Sequence, residues 1–360
     1  FDPQRIENGQ SSFIDVLVFN ETLKGRHVFM DFRENPCRSG SVHEFNIGDL
    51  EPEARDYLRK TGAIQATPIE RLAHLNPLAI EVYGEHSIDL CREPLEIAVC
   101  AQHNNGGFVV DKWWQSNVPQ TFVIGEMAGT HGVKRPGGSA LNAGQVGGLR
   151  AAEYIANVCD SDTPDYSDRW DEIERQLSDF VAKLDGWGPR SGLIAEDLIG
   201  RIQRRMTASA AHIRESGEAG RALAEAILDY RQIREHGFQL KDAKDIVKAI
   251  RAEHLALTSV AYLKAIVELL RQGGASRGSH LVLAEDGIQM HPAIANTAGK
   301  ALKFKPENEA LRNSILRLKY DPQADDLFAC ESVPVRAAPT NGKAFEPAWQ
   351  DFRDGRIYKD

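Results

Sequence analysis

Between residues 125 and 148 the chain carries eight glycines, and this stretch limits its folding options more tightly than any other. Glycine has no Cβ to block close approach and visits positive φ freely, so such a stretch turns sharply, packs backbone on backbone, or both. Before it, T-F-V-I-G-E at residues 121–126 reads as a strand ending at Gly125 and Glu126. After it, Ala143, Val146, Ala151 and Ile155 keep helical spacing from about Leu141 onward. A glycine loop leading into a helix can bring backbone N–H groups and a helix N-terminus to a planar or anionic ligand. It can equally be a tight turn beside a close helix contact. No G-x-G-x-x-G occurs anywhere, which disfavours a free-standing dinucleotide-binding domain.

The flanking sequence sets the context. Residues 13–19 and 27–32 read as strands from their β-branched and aromatic content, and 95–101, 107–111 and 121–126 as three neighbouring strands. Adjacent Trp113 and Trp114 would then point to opposite faces. Beyond the polar, Pro164-containing stretch at 160–168, Ile173, Leu177, Phe180 and Leu184 share one helical face. Helical segments are expected at about 193–215, 218–235 and 240–272, the last stopped by Gly273 and Gly274. The basic run at 201–205 reads as a solvated face. Prolines at 292, 306, 322, 334, 339 and 347 argue against long regular elements in the tail, which is expected to wrap the preceding units.

The fold class expected is therefore α+β. A cap-like α/β segment (1–95) and returning strands (96–160) lead to an all-α bundle of three or four helices (161–274) and an irregular Pro-rich extension (275–360). The formal net charge of −9 repels phosphate backbones and anionic lipid, which excludes nucleic acid as a partner. The most apolar stretch, 255–270, carries Lys264 and Glu268 and is too short to cross a bilayer. Five scattered cysteines without C-x-x-C spacing argue against a metal or iron–sulfur site within this chain and fit a reducing, cytoplasmic setting. No charged-then-apolar leader follows Phe1, and the chain reads as a processed product or a cut piece.

The run G-E-M-A-G-T-H-G-V-K-R-P-G-G-S-A-L from Gly125 to Leu141 resembles the G-E-x-A-x-x-H-G-x-x-R-x-G-G-x-x-L segment of the succinate dehydrogenase, fumarate reductase and L-aspartate oxidase flavoproteins. Upstream, Q-H-N-N-G-G at residues 102–107 resembles that family's H-x-x-G-G stretch, and A-S-R-G-S-H at residues 275–280 its S-R-G-x-H junction. The resemblance covers the whole chain unevenly and leaves out the family's first segment, which holds the ADP half of FAD.

This resemblance implies that Glu126 contacts the ribityl or adenosine side of FAD, while the backbone around Gly137, Gly138, Ser139, Ala140 and Leu141 lies against the flavin ring. His103 and Arg135 would hold a small (di)carboxylate, since a guanidinium offers a planar fork matched to a carboxylate. Other uses of these residues remain open: His103 as a core histidine, Arg135 as a surface bridge, Glu126 as a turn cap, and His131 as a loop-shaping residue. Ser139-Ala140 stands where many dicarboxylate-reducing relatives have Asn-Ser, and Pro136 follows the candidate arginine, so the substrate is not fixed. The family's proton-transferring arginine has no match; Arg26 and Arg33 lie in the cap-like part but outside its pattern.

The function implied is hydride transfer between FAD and a small carboxylate, with FAD weakly bound or absent until the missing amino-terminal segment completes the site. An iron–sulfur subunit is a further implied partner, with any membrane association peripheral and through a partner. The rival readings are a non-catalytic assembly protein derived from the same family, and L-aspartate oxidase-like chemistry.

Overall fold

The computed structural model describes residues 6, 11–36, 45–100, 102–133, 135, 137–159, 167–189, 192–289, 291–292, 294–295, 299–337 and 345–358. Two compact units emerge, one of Phe13–Cys100 with Ile294–Lys300, the other of Phe1–Ser12, Ala101–Ala293 and Ala301–Asp360.

The smaller unit contains most of helix α1 (Ser11–Leu23), then strand β1 (Val28–Met30), helices α2 (Pro52–Lys60), α3 (Pro68–Leu75) and α4 (Pro77–Glu85), and strand β2 (Leu95–Ile97). The first three-residue strand pairs antiparallel with the second, Val28 opposite Ile97. α2, α3 and α4 each start on proline, whose fixed φ suits a first helical turn. The strand expected at 13–19 is instead α1. Ser12, Val16, Phe19 and Asn20 are buried and Ile14 is exposed, a spacing near four that β-branched composition masks. Arg26 and Arg33 are exposed and bound to local acids, Glu21 at 2.7 Å and Asp31 at 2.6 Å.

The larger unit begins with helix α5 (Ser139–Val158) and α6 (Trp170–Asp185). It continues through α7 (Ala195–Ser209), β3 (Ile213–Arg214), α8 (Ser216–His236), α9 (Ala243–Arg271), β4 (Leu281–Ile288), β5 (Ser314–Tyr320), β6 (Phe328–Pro334) and α10 (Phe345–Arg353). α7, α8 and α9 pack around Leu198, Ile202, Ala226, Tyr230, Val260 and Leu263. The Glu215 carboxylate caps the first turn of α8, and Asp242 with Asp245 forms a capping box on α9. Gly237 ends α8 at φ +64, where a Cβ would sit 2.1 Å from the Trp187 ring, so only glycine fits both the turn and the contact. α6 joins the core through Leu184, while Leu177 and Phe180 of its expected buried face are exposed.

Charges inside the bundle are paired. Arg201 and Arg205 both bind the buried Asp229 carboxylate of α8, which corrects the reading of 201–205 as a solvated face. Lys183 reaches the buried Glu253 at 2.6 Å.

Three expectations about strands need correction. Residues 107–111 and 121–126 contribute only the single bridges Phe108 to Ala128 and Gln115 to Phe122, and Gly125–Met127 is a 3₁₀ turn. Gly125 adopts φ +74, which an extended strand end would not tolerate. Trp114 stands at φ +62 in a turn, so it does not alternate with its neighbour across a strand. Trp113 is buried against Tyr154 and Tyr358, with Arg150 over its ring. The extension is also more regular than its prolines suggest. β4 runs parallel to β3, Ile213 opposite Leu281, and β5 and β6 form an antiparallel hairpin. Pro322 falls in the hairpin turn and Pro334 on its last pair, places where a missing N–H costs nothing. The turn is anchored to the bundle by Lys264 on Asp326 and by the Arg231 guanidinium donating to the Asp325 carbonyl at 2.8 Å. With 52% of residues helical and 13% in small two-stranded sheets, the fold is α+β. Among the described residues, no helix is long and apolar enough to cross a membrane.

Candidate functional site

Two glycine-bearing segments of the larger unit press together. At Gly107 a Cβ would lie 2.2 Å from the Met127 carbonyl oxygen, and at Gly129 one would lie 3.1 Å from the Gly107 backbone. The Phe108 N–H donates to the Met127 carbonyl at 2.8 Å, and the Gly129 N–H to the Phe108 carbonyl at 3.0 Å. This is close approach of backbone to backbone, one of the two uses open to such a stretch. Its result is to bring the 103–105 run beside the 126–135 loop.

The Asn104 N–H donates to Glu126 Oε1 at 2.8 Å, and Glu126 Oε2 lies 3.7 Å from His103 Nε2. The ring of His131 meets that of His103 edge to face, with centroids 4.7 Å apart. All four imidazole nitrogens of this pair are buried and make no hydrogen bond to described residues. Burial pushes the His131 pKa down, with the charges of His103 and Arg135 adding to it and Glu126 opposing. Arg135 is thus an electrostatic neighbour of the histidine pair, and its Nη1 donates to the Gly137 carbonyl at 2.8 Å. Tyr262, on α9, has its hydroxyl pKa raised by burial and by the Glu126 charge, so it also belongs to this neighbourhood.

Beyond Arg135 the loop opens. A Cβ at Gly137 or Gly138 would meet nothing within 4 Å, and Gly138 caps α5 without a side-chain hydrogen bond. Ser139 and Ala140 are half-buried, whereas Leu141 is 79% exposed. Val146 and Leu149 on α5, and Phe108 and Met127 on the adjoining loops, are exposed as well.

The structure therefore gathers His103, Glu126 and Arg135 into one neighbourhood and sets Gly137, Gly138, Ser139, Ala140 and Leu141 on the adjoining turn and first turn of α5. It adds His131, which sequence reasoning assigns to loop shape. The signal that could have found it is its place in T-H-G, four residues before Arg135 in the same motif.

Named proteins share the sequence of part of this chain. Over 96 residues it is 36% identical to a subunit of the fumarate reductase (CoM/CoB) of Methanothermobacter marburgensis, an alignment covering 26% of this chain and 18% of that protein. It is 31% identical over 154 residues to L-aspartate oxidase of Mycobacterium leprae, covering 39% and 28%. The fold matches a solved quinol-fumarate reductase chain with a TM-score of 0.61 and 14% identity, over 92% of this chain and 50% of that one. The chain belongs to the succinate dehydrogenase/fumarate reductase flavoprotein family. No profile of a known protein family matches the sequence.

As a member of the flavoprotein family, the chain is short. Its alignments span less than a third of the curated relatives and half of the solved quinol-fumarate reductase chain. At 14% identity that last likeness speaks for the fold alone.

Proposed function

We propose that this chain forms the substrate-facing half of an FAD-dependent oxidoreductase that transfers a hydride between flavin and a small (di)carboxylate. One observation carries the reading. Two buried imidazoles without hydrogen-bond partners among the described residues lie within electrostatic reach of Arg135, at the mouth of an open glycine turn. Buried polar nitrogens left unpaired cost about 1–3 kcal/mol each, and an anionic ligand with several acceptor oxygens relieves that cost. Fumarate and L-aspartate, named in the two matched relatives, are both dicarboxylates.

The residues present also fit the flavin. Gly137 and Gly138 offer a surface that no side chain occupies, and the uncapped N-terminus of α5 presents free N–H groups there. Exposed Leu141 and Met127 supply apolar area beside it. FAD, when bound, supplies or accepts the hydride equivalent. The chain's own residues bind and orient: Arg135 by a fork on one carboxylate, His103 and His131 by donating to acceptor oxygens. Glu126 fixes the His103 run through the Asn104 N–H and bears on the charge of the imidazole.

The apolar stripe of Leu141, Val146 and Leu149 along α5 is what a further polypeptide segment would cover. We assign that role to an FAD-binding segment completing the site, as in the longer relatives. The chain alone then holds FAD poorly, and a stoichiometric flavin spectrum from it would refute this. In the completed protein, Arg135→Ala lowers carboxylate-dependent flavin turnover about a hundredfold, as expected for loss of a charge-assisted contact. Unchanged turnover in that variant removes the site assignment.

A further inference from the structure

The loop bearing His131 and Arg135 is held at a single point. The Asn105 side-chain amide donates to the Val133 carbonyl at 2.9 Å. From the other side Gly278 abuts the same residue: at its φ of +60, a Cβ there would sit 2.6 Å from Val133 Cγ1 and 2.7 Å from the Val133 oxygen. Val133 lies midway between His131 and Arg135, while Asn105 lies two residues after His103. One carbonyl group thus ties together the run carrying one imidazole and the loop carrying the other imidazole and the guanidinium.

The Gly278 side of this contact is firmly built. Arg277 and His280 exchange backbone hydrogen bonds at 3.0 and 3.2 Å, closing the turn around Gly278. The Ser276 N–H donates to the Lys305 carbonyl at 3.1 Å, and the Ser276 hydroxyl accepts from the Val282 N–H at 2.9 Å. Arg277 pairs with Glu307 at 2.9 Å, and Glu307 in turn with Arg312 at 2.7 Å. Nothing in the ligand-facing site accounts for the conformation at Gly278. The conformation places backbone where a side chain would collide with Val133.

We propose that Asn105 and Gly278 are positioning residues, a two-sided clamp on Val133 that sets His131 and Arg135 at the right separation from His103. This rests on the carboxylate-site reading above and adds to it the residues that hold the site in register. Neither residue touches the substrate. A site whose charged group stands on a glycine-rich loop needs such support, because a misplacement of about 1 Å costs orientation that binding energy must otherwise supply. The donor matters on the Asn105 side, and the absence of a side chain matters on the Gly278 side.

The clamp can be read in this chain without cofactor, from the titration of His103 and His131 by NMR with isotope-labelled histidine. Asn105→Ala and Asn105→Asp each shift both imidazole resonances, and the His131 midpoint moves up toward that of a free imidazole as its loop loosens. Gly278→Ala moves the same resonances from the other side. Asn308→Ala, which removes a similar amide-to-carbonyl bond to Gly273, leaves them in place. In the completed enzyme Asn105→Ala raises KM for the carboxylate about tenfold, the worth of one hydrogen bond, with a smaller effect on kcat. Unmoved resonances in a folded Asn105→Ala chain overturn the clamp and leave the carboxylate reading standing. Moved resonances with an unchanged KM overturn the positioning role.

Discussion

Acid should weaken the larger unit through His280 in particular. The imidazole is buried where β4 begins. Burial, with the charges of Arg214 and Arg277 adding to it and a hydrogen bond to the Ala275 carbonyl opposing, pushes its pKa down to about 3. In the unfolded chain it returns to about 6.5, so at intermediate pH the unfolded state binds a proton that the native state refuses. Stability is therefore intact above about pH 7 and declines as pH falls through the unfolded value, the loss continuing down to the native one. Between about pH 7 and pH 5 this single group removes about 2 kcal/mol. His212, on the strand segment paired with β4 and held at about 4 chiefly by burial, acts in the same direction. Urea unfolding followed by far-ultraviolet circular dichroism at the two pH values, for the parent chain and His280→Asn, isolates the effect. Asparagine keeps a donor for the Ala275 carbonyl and cannot titrate, so the variant loses about 2 kcal/mol less than the parent over this interval. An equal loss in both proteins refutes the argument.

Three more outcomes follow from the packing. Phe238, fully buried and edge to face with Trp187 at 5.1 Å, should cost about 3–5 kcal/mol when changed to alanine, measurable by the same urea titration. Asp229→Ala strands the buried Arg205 guanidinium and should cost about 3 kcal/mol, while a paired Asp229→Leu, Arg205→Met variant should recover most of it. Gly107→Ala drives a methyl group into the Met127 carbonyl; hydrogen exchange should show lost protection at Phe108 and Gly129, whose N–H groups bridge the two glycine segments.

The bundle is legible in the sequence because its helices are long and face a core on one side. Buried Ala249, Ala252, Ala256, Val260 and Leu263 repeat at three and four residues, and no strand produces that spacing. α1 reads as a strand because Val16, Val18 and Phe19 announce β-propensity louder than their period, an instance of composition competing with pattern. The 107–126 region lacks its expected strands because glycines and a 3₁₀ turn replace the regular alternation that a ladder needs. In the extension, prolines signal breaks in regular structure, yet two of them only mark a turn and a strand end. At the site, His103 and Arg135 are legible from the spacing of a motif. The loop contact that joins Val133 to Asn105 and Gly278 is not, since it links residues far apart in sequence through a backbone oxygen that no pattern displays.

The short parallel pairing of Ile213 and Arg214 with Leu281 and Val282 has a consequence for how the protein is made. Two long helices are synthesised between these partners, so a nascent chain can assemble α7, α8 and α9 well before the strand that fastens them leaves the ribosome. Fastening of the bundle is thus a late, nonlocal event in vectorial synthesis. A ribosome-stalled chain ending short of Leu281 would carry its helices folded and its edge at Ile213 still unzipped.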